Sequence, residues 1–229
     1  TSYLDFNTID AYVCADAALQ SFSPLQKAIN YSMTSFFTTG GIRGGSKTMD
    51  KFHPRSFNLG VSRKAFNDLK GYGTMRFGED IDFSLRLIKA GFKTALITNA
   101  YVYHKRRTNF RQFFKQVFNS GIARINLHLL HPGSLKVVHS LPACFVIGVA
   151  VILILSLFYP PLLLLPITYS ILIFIDSLLK NRSVNVAFYS IASSWVQLTG
   201  YGTGFISAFW NRLILKKGAY NAFEKKFYD

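Results

Sequence analysis

Gly78-Glu79-Asp80-Ile81-Asp82-Phe83-Ser84-Leu85-Arg86 is the stretch on which the reading of this chain turns. Three carboxylates fall within residues 78–82, at the start of an apolar-periodic segment. Ile81, Leu85 and Ile88 step at i, i+4 and i+7, which predicts a helix over about 81–90 that Gly91 stops. Asp82 and Arg86 stand four apart and can pair along it. Crowded carboxylates repel one another and are kept mainly where a base, a metal or a cationic ligand needs them. The same acids also suit a helix first turn through capping and the dipole, so the pattern alone fits a structural role as well as a chemical one.

Around this stretch the first part of the chain mixes short strands and helices. Ala11-Tyr12-Val13-Cys14 reads as a strand, Leu25 to Phe37 as a helix, and the glycine-rich run 39–47 as a loop. Ser56 to Ser62 reads as a strand, Arg63 to Leu69 as a short helix, and Lys93 to His104, rich in Thr, Val, Ile and Tyr, as one or two strands.

The formal charge is +15, yet only 16% of the 229 residues are charged. A nucleic-acid binder spreads basic residues widely. Here they gather between Lys105 and Arg124 and beside apolar runs, which favours an anionic membrane face or phosphate-bearing ligands. Cys14 and Cys144 have no partners at zinc-ligand spacing, and Cys144 reads as a small buried hydrophobe.

From Asn109 to Leu130 the aromatic and aliphatic residues step by three and four, with Arg111, Lys115 and Arg124 among them. This predicts a basic amphipathic helix, residues 108–133, suited to the headgroup plane or to packing on its own domain. Leu141–Phe158 and Leu162–Leu179 are apolar runs long enough to approach a bilayer span, joined tightly by Tyr159-Pro160-Pro161, and Val186–Trp210 is a longer, more polar third. Residues 134–229 are therefore expected to be a membrane region of two to three helices. Lys136, Lys180 and Arg182 flank the first two runs on one side, which places residues 1–135 in the cytoplasm. Gly200 and Gly204 read as a close-packing helix face.

Asp80 is the candidate general base, since a carboxylate fixed at a helix start can take a proton from a hydroxyl nucleophile. Glu79 beside it could hold acceptor hydroxyls. His104, just before Lys105-Arg106-Arg107, fits either a divalent-metal ligand with the basic run gripping a diphosphate, or a histidine that ends a strand.

Gly78-Glu79-Asp80-Ile81-Asp82 followed by Arg86-Leu87 and Gly91 resembles the Glu-Asp-x-Asp segment of family 2 glycosyltransferases. Asn58 to Arg63 and Gly71-Tyr72 stand where that family has an Asn-containing strand and a glycine turn. His104, Lys105, Arg106, Arg107, Gln116, Gly121 and Arg124 follow in its order. The resemblance covers about residues 10–135, and is nearest to membrane-attached bacterial members that build cell-surface polysaccharides.

The resemblance implies an α/β fold, a partial GT-A-like, Rossmann-related domain over 1–107, followed by an α-helical transmembrane region. It implies inverting transfer from a nucleotide-diphosphate sugar to a lipid-linked or polysaccharide acceptor at the bacterial inner membrane, with the catalytic part facing the cytoplasm. Asp80 would be the base, with Glu79 beside it; Asp82, Arg106, Arg107, Gln116 and Arg124 would contact substrates. His104 would hold Mg²⁺ or Mn²⁺ together with an Asp-x-Asp motif. That motif closes the family's nucleotide-binding half and has no counterpart here. Asp16 lacks a paired carboxylate, so the chain is expected to be the acceptor half with its membrane anchor, inactive alone. Two other readings stand beside this one. One is a non-catalytic membrane protein that binds lipids or a partner through the basic helix. The other is a transporter fragment, which the near absence of ionisable residues from the apolar runs disfavours.

Overall fold

The computed structural model describes residues 9–17, 21–39, 58–103 and 105–223. They form two compact units, one from the described parts of 1–19 and 47–104, the other from those of 20–46 and 105–229. The described residues 21–39 thus belong with the helical unit, although the sequence reading groups them with the α/β region.

The first unit is a three-stranded sheet with two helices. Strand β1 (Ala11–Ala17) is followed, after the excursion into the other unit, by β2 (Leu59–Val61), helices α3 (Arg63–Asp68) and α4 (Glu79–Lys89), and β3 (Thr94–Tyr103); α1 and α2 are helices of the second unit. The order is β2-β1-β3: β2 runs antiparallel to β1, and β3 runs parallel to it. Ala11 to Cys14 pair in register with Thr94 to Ile97, and a bulge then shifts Ala15 opposite Tyr101. Ala11, Ala65, Phe83 and Leu87 are buried together, with Leu59, Val61, Leu69 and Phe92 packed around them. Where one or two strands are expected over Lys93 to His104, Thr94–Tyr103 forms one.

Helix α4 starts after Gly78, whose φ of +83° only glycine adopts at little cost. It ends in a Schellman arrangement, with Gly91 at φ +82°, the Gly91 N–H donating to Ile88 O and the Phe92 N–H to Leu87 O. Phe92 then folds back on the core. Ser62 caps α3 by accepting from the Ala65 N–H at 3.1 Å.

The second unit contains α1 (Pro24–Thr34), α2 (Phe36–Thr39), α5 (Phe110–Leu130), α6 (Leu141–Leu155), α7 (Leu164–Asn181) and α8 (Val184–Ala208), which runs into a π-helical turn at Phe209–Ile214. Ser23 and Gln26 make a reciprocal capping box at the start of α1. The single helix expected over 25–37 breaks at Ser35, whose backbone is extended.

Helix α8 is the hub, packed against α1, α5, α6 and α7. It is one continuous helix, and its polarity has a packing reason: Ser190, Ser193, Ser194 and Gln197 are buried inside the unit. The expected glycine face is present. A Cβ on Gly204 would strike Phe118 O of α5, one on Gly121 would strike Tyr201 O of α8, and one on Gly202 would strike Pro142 O of α6. At these positions helix backbones touch.

Much of the apolar face of α5 is buried inside this unit, while Leu129 and Leu130 at its end are exposed. Phe113 and Val117 bury with Ile29 and Met33 of α1, and Ile122 and Ile125 bury with Ala143, Phe205 and Ala208. Lys115, Asn119 and Asn126 are buried as well. An amphipathic period shows that a face will be covered but does not say by what; here protein covers Phe113, Val117, Ile122 and Ile125.

Helices α6 and α7 differ. Ile147, Val151, Ile154, Leu164, Ile171 and Ile175 are about half exposed. Among the described residues one segment, Pro160–Asn181, is long and apolar enough to cross a membrane, whereas the apolar helix Leu141–Leu155 is shorter. Cys144 lies exposed on α6 rather than in a protein core.

Candidate functional site

The acidic cluster sits on the first turn of α4. Gly78 supplies no side-chain cap, so the turn carries its own counter-charges in Glu79, Asp80 and Asp82. The three acids then take different parts. Asp80 accepts from the Ile81 N–H through Oδ1 at 2.8 Å and remains part-exposed. Glu79 is half-buried, and burial, with the neighbouring Asp80 charge, holds its carboxyl above the usual range against the lowering effect of nearby backbone N–H groups.

Asp82 turns inward. It is 6% exposed and takes Arg86 Nε and Nη2, each at 3.0 Å, on one carboxylate oxygen. Arg86 continues the chain of contacts. Its Nη1 donates to Leu69 O at 2.7 Å and its Nη2 to Gly71 O at 2.8 Å. One ion pair therefore bolts the first turn of α4 to the turn leaving α3, where Lys70 and Gly71 both have positive φ. The Asp82–Arg86 pairing expected from spacing is present. The resemblance assigns Asp82 a substrate contact; here its carboxylate is covered and engaged with arginine.

The same turn carries Tyr72, which the sequence marks only through the resemblance and to which it assigns no role. Its ring lies 5.0 Å from that of Phe83 and 6.2 Å from that of Phe66. Burial first, and then the charges of Asp80 and Glu79, raise its hydroxyl above the ordinary tyrosine range. Tyr72 remains 40% exposed, so this face offers an aromatic ring within electrostatic reach of two carboxylates. Asn58 is a second such residue. Its Nδ2 donates to Cys14 O, while its buried Oδ1 has no hydrogen-bond partner. The resemblance marks both positions, and only tertiary placement shows what each side chain touches.

The basic candidates belong to the helical unit. Arg106 is 7% exposed and sets Nε and Nη2 on Asn30 Oδ1 at 3.1 and 2.9 Å, while Gln26 Nε2 donates to its carbonyl at 2.9 Å. It fastens the segment before α5 onto α1. Arg107 and Gln116 come together, Nε to Oε1 at 3.2 Å. Arg124 stands apart from both, with its buried Nε lacking a hydrogen-bond partner. The structure thus joins Glu79 with Asp80 in one unit and Arg107 with Gln116 in the other.

His104, the proposed metal ligand, lies outside the described residues, as does Arg43. Among the described residues no three His, Cys, Asp or Glu side chains gather as a metal site would require. The residues in view do not fit a divalent cation by themselves.

Comparison with protein-family models gives no match, and comparison with curated proteins gives none either.

Proposed function

We propose that this chain works as the acceptor-side part of a membrane-attached inverting glycosyltransferase, with Asp80 as its general base. The observation that carries the reading is the Glu79–Asp80 pair, part-exposed on a helix turn that Asp82 and Arg86 lock in place, beside the ring of Tyr72. Sugar transfer needs these parts: an ionised carboxylate for the acceptor hydroxyl, a second polar group to orient it, and an apolar ring for the sugar face. In the proposed step the acceptor oxygen attacks the anomeric carbon of a nucleotide-diphosphate sugar, and its proton passes to Asp80. The bond from that carbon to the diphosphate oxygen breaks, and its electron pair leaves on the diphosphate. Glu79, half-buried beside Asp80 on the same turn, is placed to hydrogen-bond an acceptor hydroxyl. No step is routed through Mg²⁺ or Mn²⁺.

The acceptor is a lipid-linked or polysaccharide hydroxyl of the bacterial cell envelope, reached at the cytoplasmic face of the inner membrane. Supporting the membrane placement, Pro160–Asn181 extends about 33 Å at helical rise against a hydrocarbon core of about 30 Å, and its apolar side chains are left uncovered by protein. The alternative, a non-catalytic membrane protein that binds lipids or a partner through the basic helix, has less support because Phe113, Val117, Ile122, Ile125 and Leu127 of α5 are already buried.

The test is transfer of labelled sugar from a panel of nucleotide sugars in membranes carrying this chain together with a nucleotide-binding half that ends in Asp-x-Asp. Asp80→Asn is expected to lower turnover by about 10²- to 10⁴-fold with donor binding retained. Unchanged turnover in that variant would remove the base assignment.

A further inference from the structure

Between α7 and α8 runs an open groove of about 440 Å³ with an almost wholly apolar lining. Ile167, Ser170 and Phe174 line it from α7, and Phe188, Ile191 and Trp195 from α8. The two polar groups on its wall satisfy each other, Trp195 Nε1 donating to Ser170 Oγ at 3.1 Å. An occupant is therefore asked for no hydrogen bond, only for apolar surface. Phe174 and Phe188, with ring centroids 4.9 Å apart, frame the end nearer the α7–α8 turn.

We propose that this groove seats one acyl chain of an anionic phospholipid whose headgroup lies against Arg182. The geometry supports this occupant in two ways. First, Ser170 and Trp195 sit near the middle of the Pro160–Asn181 span, where hydrocarbon chains are the available apolar ligand. From Ser170 to Arg182 the helix rises about 18 Å, close to the roughly 15 Å half-thickness of a hydrocarbon core. A chain lying in the groove thus brings its headgroup to the level of Arg182. Second, Arg182 is exposed there, closing α7 in a left-handed conformation. Lys180, two residues back, is already paired with Asp176 at 2.9 Å. Arginine at that depth favours an anionic headgroup over a zwitterionic one. The inference rests on the membrane placement of α7 and is independent of the sugar chemistry.

The two tryptophans of the chain are Trp195 and Trp210, so Trp210→Phe leaves the groove residue as sole fluorophore. The protein is reconstituted in phosphatidylcholine vesicles, and the bromine-labelled chains are carried either by phosphatidylglycerol or by phosphatidylcholine. Trp195 is expected to reach half-maximal quenching at about fivefold lower mole fraction of the brominated anionic lipid, the ratio one arginine at an anionic surface supplies. Adding Arg182→Gln should abolish that preference and leave quenching by brominated phosphatidylcholine unchanged. Adding Ile191→Phe, which fills the groove, should weaken quenching by both. Equal quenching by the two lipids in the Trp210→Phe protein would overturn the anionic headgroup. Trp195 shielded from both lipids, with emission typical of an apolar site, would mean that a second copy or another protein segment covers the groove. Emission typical of water with no quenching would overturn the membrane placement itself.

Discussion

Arg86 reaches from α4 to the carbonyls of Leu69 and Gly71 while Asp82, one turn before it, neutralises its charge at 3.0 Å. The pair holds the acidic turn and the Tyr72 turn as one rigid corner. Without Asp82 the guanidinium would sit part-buried with no carboxylate from that position; without Arg86 a 6% exposed carboxylate and two carbonyls would lose their donor.

Asp82→Ala and Arg86→Ala are each expected to destabilise the α/β unit by about 2–4 kcal/mol, somewhat below the roughly 3–5 kcal/mol for breaking a fully buried pair because Arg86 is part-exposed. Because both remove the same interaction, the double variant should cost far less than the sum. Limited proteolysis within residues 58–103 under increasing denaturant measures this. Strict additivity would show that the two residues act separately.

Glu79→Gln is expected to stabilise the same unit at neutral pH. Its carboxyl is raised above the ordinary value by burial and by Asp80, so the folded state holds the proton more tightly than the unfolded chain does. The favourable contribution is present in full below the unfolded value, about 4.3. It is lost as pH rises through the raised folded value. Wild type and variant should therefore unfold alike near pH 4 and diverge towards pH 7, with the variant more stable. Half-exposure keeps the effect modest, and paired unfolding curves at the two pH values read it directly.

The corner also shows what a sequence can and cannot say. The start, stop and internal ion pair of α4 are local, so Ile81, Leu85, Ile88, Gly91 and the Asp82–Arg86 spacing are enough to place them. The partners of Arg86 are carbonyls 15 and 17 residues upstream, and no periodicity points to them. The same holds for α5. Its period is plain, but its covering surface, Ile29, Met33 and Phe205, comes from segments far along the chain. Tyr31, which donates to Asp176 across 145 residues, could not have been paired in advance. The glycines of α8 were legible as a class, since small residues in an apolar helix have few other uses, while their individual partners were not.

Gly204→Ala and Gly121→Ala are expected to lower the melting temperature of the helical unit, each by overpacking worth about 1–3 kcal/mol, because the added methyl meets the backbone of a neighbouring helix. Gly148→Ala is the matched control. Nothing lies within 4 Å of the position its Cβ would occupy, so helix propensity alone operates and the change should be neutral or stabilising by up to about 1 kcal/mol. Thermal unfolding in detergent compares the three. If the Gly148 variant fell as far as the others, the close approach of α5 and α8 would not be the cause.

Tyr72 separates ring from hydroxyl. Its ring packs on Phe83 and Phe66, and its hydroxyl, kept protonated by burial and by the charges of Asp80 and Glu79, cannot serve as a base near neutrality. Tyr72→Phe keeps the ring and removes only the hydroxyl, so stability should change by less than about 1 kcal/mol. Tyr72→Ala removes the ring that flanks the carboxylates. If this face takes the acceptor sugar, that variant should raise the acceptor KM by about tenfold or more while kcat falls less, the pattern of a lost binding contact. Asp80→Asn should do the reverse, lowering kcat with KM little changed. Steady-state transfer rates over a range of acceptor concentrations distinguish the two. An equal loss of kcat and kcat/KM in Tyr72→Ala would place the ring in the chemical step and move the acceptor-binding surface elsewhere.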